Sequence, residues 1–439
     1  MSKDIRIKKG LDIKLLGEAE KITAEASRSN VYAIKPDDFH GIIPKIIAKV
    51  GTEVKAGEPL FFSKANDKML FPSPVSGEVV EIVRGAKRKI VAFKVLGDKE
   101  QQFHDFGIKD VIAMDREGVK AHLLNAGCWP FIRQRPYDII ANPEVTPKAI
   151  FVSAYASAPL AADYDYVLRG KEKELQAAVT ALSKLTTGAV HVSVDGKSST
   201  SVFSELTDIH VHRQIATISP INKGEHVWVV TPQDLVIIGG LFLTGKYNAE
   251  RIVALAGSSI KNPKYYKTTI GAEVATFVYD AGVSETNIRV ISGNVLTGTD
   301  IKPDGYLGYY DTTVTVIPEG NDYEFFGWNK PIFNKVSTSR ALTFSWLFPD
   351  KKYTLNTNTN GEHRAFVTTG TFEAVFPFDI FPLQLLKAFV VNDLDAMEQL
   401  GAYEIAPEDF ALTEFVCVSK QPHQEIIRQG LDLMYKEIG

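Results

Sequence analysis

The sequence predicts an α+β chain of several domains, and three changes of hydrophobic period predict it. From Val31 to Val95 short apolar runs are separated by glycine and proline, and from Asp110 to Leu243 apolar runs alternate with helical stripes. From Arg251 to Val316 the order is strand, strand, helix, strand, strand, and the tail from Phe366 to Gly439 reads as helical.

A chain of 439 residues is too long for one core. With 45% hydrophobic and 23% charged residues it has the composition of an ordinary globular protein. A net charge of -4 and the lack of a basic stripe argue against nucleic acid as a partner. The run Lys87-Arg88-Lys89 is expected as a solvated hairpin tip. A membrane span needs roughly 18 to 20 consecutive apolar residues. The best run, Leu235 to Leu243, is broken by Gly239 and Gly240, and the opening MSKDIRIKKG lacks the apolar core of a signal peptide. The chain is therefore expected to stay in the cytoplasm. Cys128 and Cys417 stand far apart and suggest neither a disulfide framework nor a metal site.

Residues 1–30 read as an N-terminal extension and 31–100 as a small β domain. Its punctuation, Val54-Lys55-Ala56-Gly57-Glu58-Pro59 and Pro74-Val75-Ser76-Gly77-Glu78, resembles the barrel-sandwich hybrid of biotinyl and lipoyl carriers. Those carriers modify a hairpin lysine, which invites comparison with Lys68. The comparison fails on two counts: Lys68 stands closer to Pro74 than carrier spacing requires, and Asp67 replaces the flanking methionine. An unmodified hairpin is expected.

Residues 101–245 read as a Rossmann-like α/β domain. Ala149-Ile150-Phe151-Val152-Ser153 is a buried-strand candidate, Leu175, Val179 and Leu182 stripe a helix, and Val190, Val192 and Val194 alternate in the next strand. Thr231, Pro232 and Asp234 form a capping-box-like start to a second helix. Neither a G-x-G-x-x-G turn nor a P-loop is present, so nucleotide binding is not implied. His210 and His212 share one face of a strand, but no carboxylate or cysteine stands at ligand spacing and a structural role is expected.

Residues 246–330 carry the β-grasp pattern. Val274, Phe277, Val278 and Ala281 fall at i, i+3, i+4 and i+7, and Gly282 stands where a left-handed helix cap is needed. Residues 331–439 combine an aromatic-rich connection with the helical tail, in which Ile427, Leu431 and Met434 share a face. Tyr323, Phe325, Phe326, Trp328, Phe333, Phe344, Trp346 and Phe348 are either core or an exposed docking patch. The candidate docking residues are Phe325, Phe326, Trp328, Phe344, Trp346 and Phe348.

The wording RIVALAG, KNP, IGAEVATFVYDAG and RVISGN resembles the soluble-ligand-binding β-grasp (SLBB) module of three related electron-transfer proteins. These are the flavin subunit of complex I, the C subunit of the Rnf complex and the A subunit of the Na+-translocating NADH:quinone reductase, the last being closest. The flavin-bearing relatives have a glycine-rich phosphate loop, and Leu124 to Pro130 keeps only its end; their acidic segment matches Ser153 to Pro159, where both glutamates are lost. The Rnf protein has two ferredoxin-like cysteine motifs. Phe366, Thr369, Gly370, Phe372, Phe376 and Pro377 fit the first frame with every cysteine replaced, and Cys417-Val418-Ser419-Lys420 keeps one sulfur of the second. A four-iron cluster needs four thiolates. Phe203-Ser204-Glu205-Leu206 replaces a His-Pro-Ala-Gly-like family segment and marks a divergent branch.

The resemblance implies a peripheral subunit on the cytoplasmic face of the inner membrane, partnered by membrane-embedded and flavin-bearing subunits. It implies no cofactor on this chain: NADH, flavins and an iron–sulfur centre belong to other subunits, and quinone is a candidate ligand without an identifiable pocket. No catalytic, cofactor-binding or metal residue is assigned. The alternative left open is a catalytically silent adaptor or ligand-binding module outside such a complex.

Overall fold

The computed structural model describes residues 9–195, 201–212, 221–321, 324–325, 335–336 and 345–439. Strand β1 (Glu20–Glu25) precedes a β domain of seven strands: β2 (Val31–Ile34), β3 (Pro44–Ile46), β4 (Glu53–Val54), β5 (Pro59–Ser63), β6 (Asn66–Pro72), β7 (Gly77–Arg84) and β8 (Ile90–Gly97). They form a four-stranded sheet in the order β2-β8-β7-β4 and a three-stranded sheet β3-β5-β6. Between the sheets Phe61 stacks on Phe71 at 4.5 Å and on Phe93 at 4.8 Å, which supplies the apolar area so small a domain needs. Gly77 is required where β7 runs close against β8, because a Cβ there would lie 1.9 Å from the Leu96 carbonyl oxygen. Residues 87–89 cap the β7–β8 hairpin as expected, and Lys89 reaches Asp37 at 2.6 Å.

The α/β domain follows: α1 (Arg116–Asn125), β9 (Arg133–Arg135), β10 (Ile139–Ile140), β11 (Ala149–Ser153), α2 (Tyr164–Val167), α3 (Glu172–Ser183), β12 (Val190–Ser193), β13 (Ile209–His212), β14 (Val227–Val230) and α4 (Pro232–Thr244). The sheet order is β10-β9-β14-β11-β12-β13, with β14, β11, β12 and β13 parallel and β9 antiparallel to β14. Strand β11 is buried along its length because both faces are covered. Ile150 and Val152 join the core beneath α3 and α4, whereas Ala149 and Phe151 join the core of the C-terminal helices. Helices α3 and α4 touch at Gly239, where a Cβ would meet the Glu174 carbonyl at 1.8 Å.

The third unit contains β15 (Glu250–Ala256), β16 (Lys264–Thr269), α5 (Ala275–Val278), β17 (Ile288–Ser292), β18 (Thr299–Asp300) and β19 (Thr313–Pro318). Its six-stranded sheet runs β1-β16-β15-β19-β17-β18, so the segment preceding the first domain supplies an edge strand parallel to β16. The predicted helical face is buried: Val274, Phe277, Val278 and Ala281 pack with Val253, Leu255 and Val290. The regular helix is only the short α5, and Gly282 adopts the left-handed conformation at φ +77°.

The tail forms α6 (Thr371–Val375), α7 (Pro382–Val391), α8 (Leu394–Gln399), α9 (Ala411–Phe415) and α10 (His423–Ile438). Ile427, Leu431 and Met434 of α10 are fully buried, as their spacing predicts. Helices α7 and α10 approach so closely at Gly430 that a Cβ would collide with the Phe389 ring. Among the described residues no helix is long and apolar enough to cross a membrane.

Candidate functional site

The three N-terminal units converge on Tyr309 and Tyr310, which follow a glycine-rich connection just before β19. Tyr309 packs edge-on against Phe39 of the β domain at 4.6 Å and stacks on Phe131 of the α/β domain at 5.0 Å. Its hydroxyl lies 3.3 Å from that of Tyr247, and its backbone N–H donates to Asp38 Oδ2 at 2.9 Å. The Tyr310 hydroxyl donates to the Pro130 carbonyl at 2.6 Å, and the Arg133 guanidinium sits 5.8 Å from the Tyr310 ring centre. Burial holds both phenols well above their ordinary pKa, so they act as neutral hydrogen-bonding groups. The Asp38 carboxyl is pushed up to about 6 by burial, with nearby Lys35 opposing and Asp311 reinforcing the shift. Sequence reading passes over Tyr309-Tyr310; the aromatic doublet between Gly308 and Asp311 is the one local signal available.

Behind this junction Asp234 of α4 meets Arg251 of β15 at 2.6 Å with neither side chain exposed. The sequence assigns Asp234 to a helix cap. Thr231 and Pro232 do open α4, but Thr231 makes no side-chain cap bond and the Asp234 carboxylate is committed to Arg251. The expectation is corrected on this point: an ion pair to a neighbouring strand outcompetes a local cap, because a buried guanidinium needs a counter-charge.

The stretch matched to a flavin-phosphate loop does not fit that group. The N–H groups of Ala126, Gly127 and Cys128 donate to the carbonyls of His122, Leu124 and Leu123, so they are already used where a phosphate would need them. Gly127, at φ +66°, lies against Pro72, where a Cβ would come within 2.6 Å. Cys128 is fully buried, and Trp129 Nε1 donates to the Ala141 carbonyl at 2.7 Å while its ring meets Trp228 edge-on at 5.4 Å. At the segment matched to the acidic motif, the Ser153 hydroxyl donates to the Tyr155 carbonyl at 3.2 Å.

The frame matched to an iron–sulfur site is packed with side chains. Phe372, Phe376 and Cys417 belong to one buried cluster, with Phe366 against its edge. The His423 ring lies 4.8 Å from that of Phe372 and 5.6 Å from that of Phe366, and its Nδ1 pairs with the Thr413 hydroxyl at 2.9 Å. Burial lowers the His423 pKa to about 4, so the ring is neutral at physiological pH. With Cys128 and Cys417 its only cysteines, the chain cannot supply the four thiolates of such a cluster.

Of the candidate docking residues, Phe325 is 82% exposed, Trp346 57% and Phe348 50%. Phe326, Trp328 and Phe344, with Tyr323 and Phe333, lie outside the described residues. His210 lies beside His191 with ring centres 5.7 Å apart, and the side chain of His212 lies outside the described residues. Lys68 sits within β6 and is exposed, not at the hairpin turn.

The order of domains in this fold recurs in comparison with known proteins. The chain matches the NqrA N-terminal barrel-sandwich hybrid domain over residues 5–98, the NqrA second alpha/beta domain over 114–247 and the NQRA C-terminal domain over 252–302. It is 36% identical to the A subunit of the Na(+)-translocating NADH-quinone reductase of Vibrio atlanticus, over 99% of this chain and 100% of that one. The chain belongs to the NqrA family, the A subunits of Na(+)-translocating NADH-quinone reductases. The A subunit of the Na(+)-translocating NADH-quinone reductase of Rhodopirellula baltica is 35% identical over 98% of each chain. An NAD+-reducing [NiFe]-hydrogenase in the air-oxidized state overlaps 46% of this chain and 47% of its own, at 13% identity and a TM-score of 0.33, too loosely to argue from.

Proposed function

We propose that this chain is the peripheral A subunit of a Na+-translocating NADH:quinone oxidoreductase, serving assembly and quinone interaction while the complex couples NADH oxidation and quinone reduction to sodium export. The observation that carries the reading is the end-to-end likeness to subunits of that name. An adaptor working outside such a complex is not favoured, since it would need the β-grasp unit alone and this chain retains the other units in the family order.

In this reading the isolated chain has no redox activity, and the flavins, iron–sulfur centre and NADH site reside in other subunits. The committed amides of residues 126–128 and the phenylalanines in the cysteine frame support that division. The chain works as five units: an extension at 1–30, the barrel-sandwich hybrid at 31–100, the Rossmann-like unit at 101–245, the β-grasp unit at 246–330 and the aromatic connection with helical tail at 331–439. Its partners are the membrane-embedded and flavin-bearing subunits, met at the cytoplasmic face of the inner membrane through the aromatic segment that includes Phe325, Phe326, Trp328, Phe344, Trp346 and Phe348. Exposure of Phe325, Trp346 and Phe348 supports that assignment.

Copurification tests the reading. Tagged in its native host and extracted from membranes in mild detergent, the chain should bring down flavin-containing membrane subunits. A wholly soluble, partner-free pool would overturn it. The isolated chain should show neither flavin nor iron–sulfur absorption.

A further inference from the structure

The outer face of the small sheet β3-β5-β6 is apolar and basic at once. Its inner face carries the barrel core, with Phe61, Met69 and Phe71 buried. Lys45 points outward from β3, and Ile43 and Ile47, which flank that strand at its two ends, are exposed with it. Ile43 is 61% and Ile47 43% exposed, high for aliphatic side chains in a packed domain. Register extends the face across the sheet: Lys45 pairs with Phe62, and Phe62 with Leu70, both of which are partly exposed. The Lys64 N–H donates to the Ile43 carbonyl at 2.8 Å, which sets Lys64 beside Ile43, and Lys68 stands on the Leu70 side of β6.

Three lysines of the domain are paired, whereas Lys49, Lys55, Lys87 and Lys99 share with these lysines the lack of an ion-pair partner among the described residues. Lys35, Lys89 and Lys94 are matched by Asp38, Asp37 and Glu81. Among the described residues Lys45, Lys64 and Lys68 have no ion-pair partner. Glu58 is engaged elsewhere, accepting from the Lys55 N–H at 2.8 Å and facing His104 at 3.3 Å. Asp67 is the one carboxylate on the β5–β6 hairpin.

We propose that this face rests on an anionic lipid surface, with Ile43 and Ile47 entering the headgroup boundary and Lys45, Lys64 and Lys68 meeting lipid phosphates. Charge complementarity selects the occupant. Protein interfaces favour arginine and are poor in lysine, whereas this sheet face, with Phe62 and Leu70 along its middle, has three lysines, two isoleucines and no arginine. A lysine is a hydrated point charge that needs no fixed partner geometry, which suits mobile headgroups. Aliphatic side chains between basic residues are the pattern of surfaces that lie on a bilayer without crossing it. The inference goes beyond the assembly reading and stands on this face alone.

Sedimentation of the full chain with vesicles tests it, using phosphatidylcholine alone or phosphatidylcholine mixed with phosphatidylglycerol. The chain should pellet with the mixed vesicles only, and less so as salt rises. K45Q, K64Q and K68Q should each weaken binding about fivefold. I43S with I47S should weaken it without altering charge. Because these positions are exposed, thermal melting of every variant should match the parent. Equal binding to both vesicles, no binding, or variants indistinguishable from the parent would overturn the proposal. So would loss of binding on W346S with F348S alongside unaltered binding of the lysine variants. Capture of an acidic protein surface by a chain that ignores both vesicles would assign the face to a protein partner instead.

Discussion

Asp234 and Arg251 form an ion pair at 2.6 Å with no solvent exposure on either side chain, and this pair fastens the first turn of α4 to β15. Burial pushes the Asp234 carboxyl upward while Arg251 draws it back. The Arg251 guanidinium also donates to the Tyr310 carbonyl at 3.3 Å, which ties the pair to the three-way junction. Removing one partner leaves a buried charge without compensation, and D234A or R251A should each cost about 3–5 kcal/mol. The double variant D234L/R251M should be less destabilised than either. Urea unfolding followed by tryptophan fluorescence checks this, and an additive double variant would refute the coupling.

The Asp38 carboxyl gives the junction a pH dependence of definite sign. Its folded pKa, about 6, lies above its ordinary value, so the folded state holds the proton more tightly and stability from this group falls as pH rises through the interval from about 4 to 6. D38N keeps an oxygen to accept the Tyr309 N–H but removes the charge. It should be about 1–3 kcal/mol more stable than the parent at pH 7.5 and equal to it near pH 4. Melting temperatures across that range measure the difference; a D38N chain less stable at pH 7.5 would contradict the assignment.

His423 works with the opposite sign. Its folded pKa of about 4 lies below the ordinary histidine value, so stability from the neutral ring is present above about pH 6.5 and is lost progressively toward pH 4. H423Q should lessen acid sensitivity in that window while losing about 1 kcal/mol at neutral pH through a poorer partner for Thr413. Hydrogen exchange of α9 and α10 against pH localises the effect, and unchanged acid sensitivity in H423Q would remove His423 from the account.

How much of this was legible follows from where each signal resides. The β11 run, the α3 stripe, the Gly282 cap and the α10 face are set by neighbours in sequence, and each appears in the structure. Strand β1 was not legible: EKITAE is mostly exposed, and its partner, Lys264 to Lys267, lies far along the chain. Asp234 was misassigned for a related reason, since its local spacing fits a cap while Arg251 reaches it only through tertiary packing. The helix over Val274 to Ala281 was right in its face and too long in its span, because burial persists beyond the regular turn α5. Tyr309-Tyr310 gave too short a pattern to show that three units would close around it.

Cys128 and Cys417 have 0% and 1% exposure, and burial pushes the Cys128 thiol far above its ordinary range. Thiolate is the reactive species at Cys128, and Cys417 is shut off from reagent by packing, so both should resist a thiol reagent such as dithionitrobenzoate in the folded chain and both should react in denaturant. Fast labelling of Cys417 without denaturant would show that the packed cysteine frame opens in solution.

The aromatic segment supplies the last prediction. Trp346 and Phe348 are half exposed or more and belong to none of the buried clusters, so W346S/F348S should fold and melt like the parent. If the segment docks to a membrane-embedded partner, those rings are the anchors whose burial supplies affinity, and losing a central aromatic at an interface commonly costs about 2 kcal/mol or more. The variant should therefore copurify with its partners at least roughly tenfold less well under limiting detergent, and quinone reduction by the complex should fall in proportion to the assembly lost. The distinction from a catalytic role lies in that proportionality. Activity per assembled complex should be unchanged, and a drop in specific activity with assembly intact would move these residues from docking to chemistry.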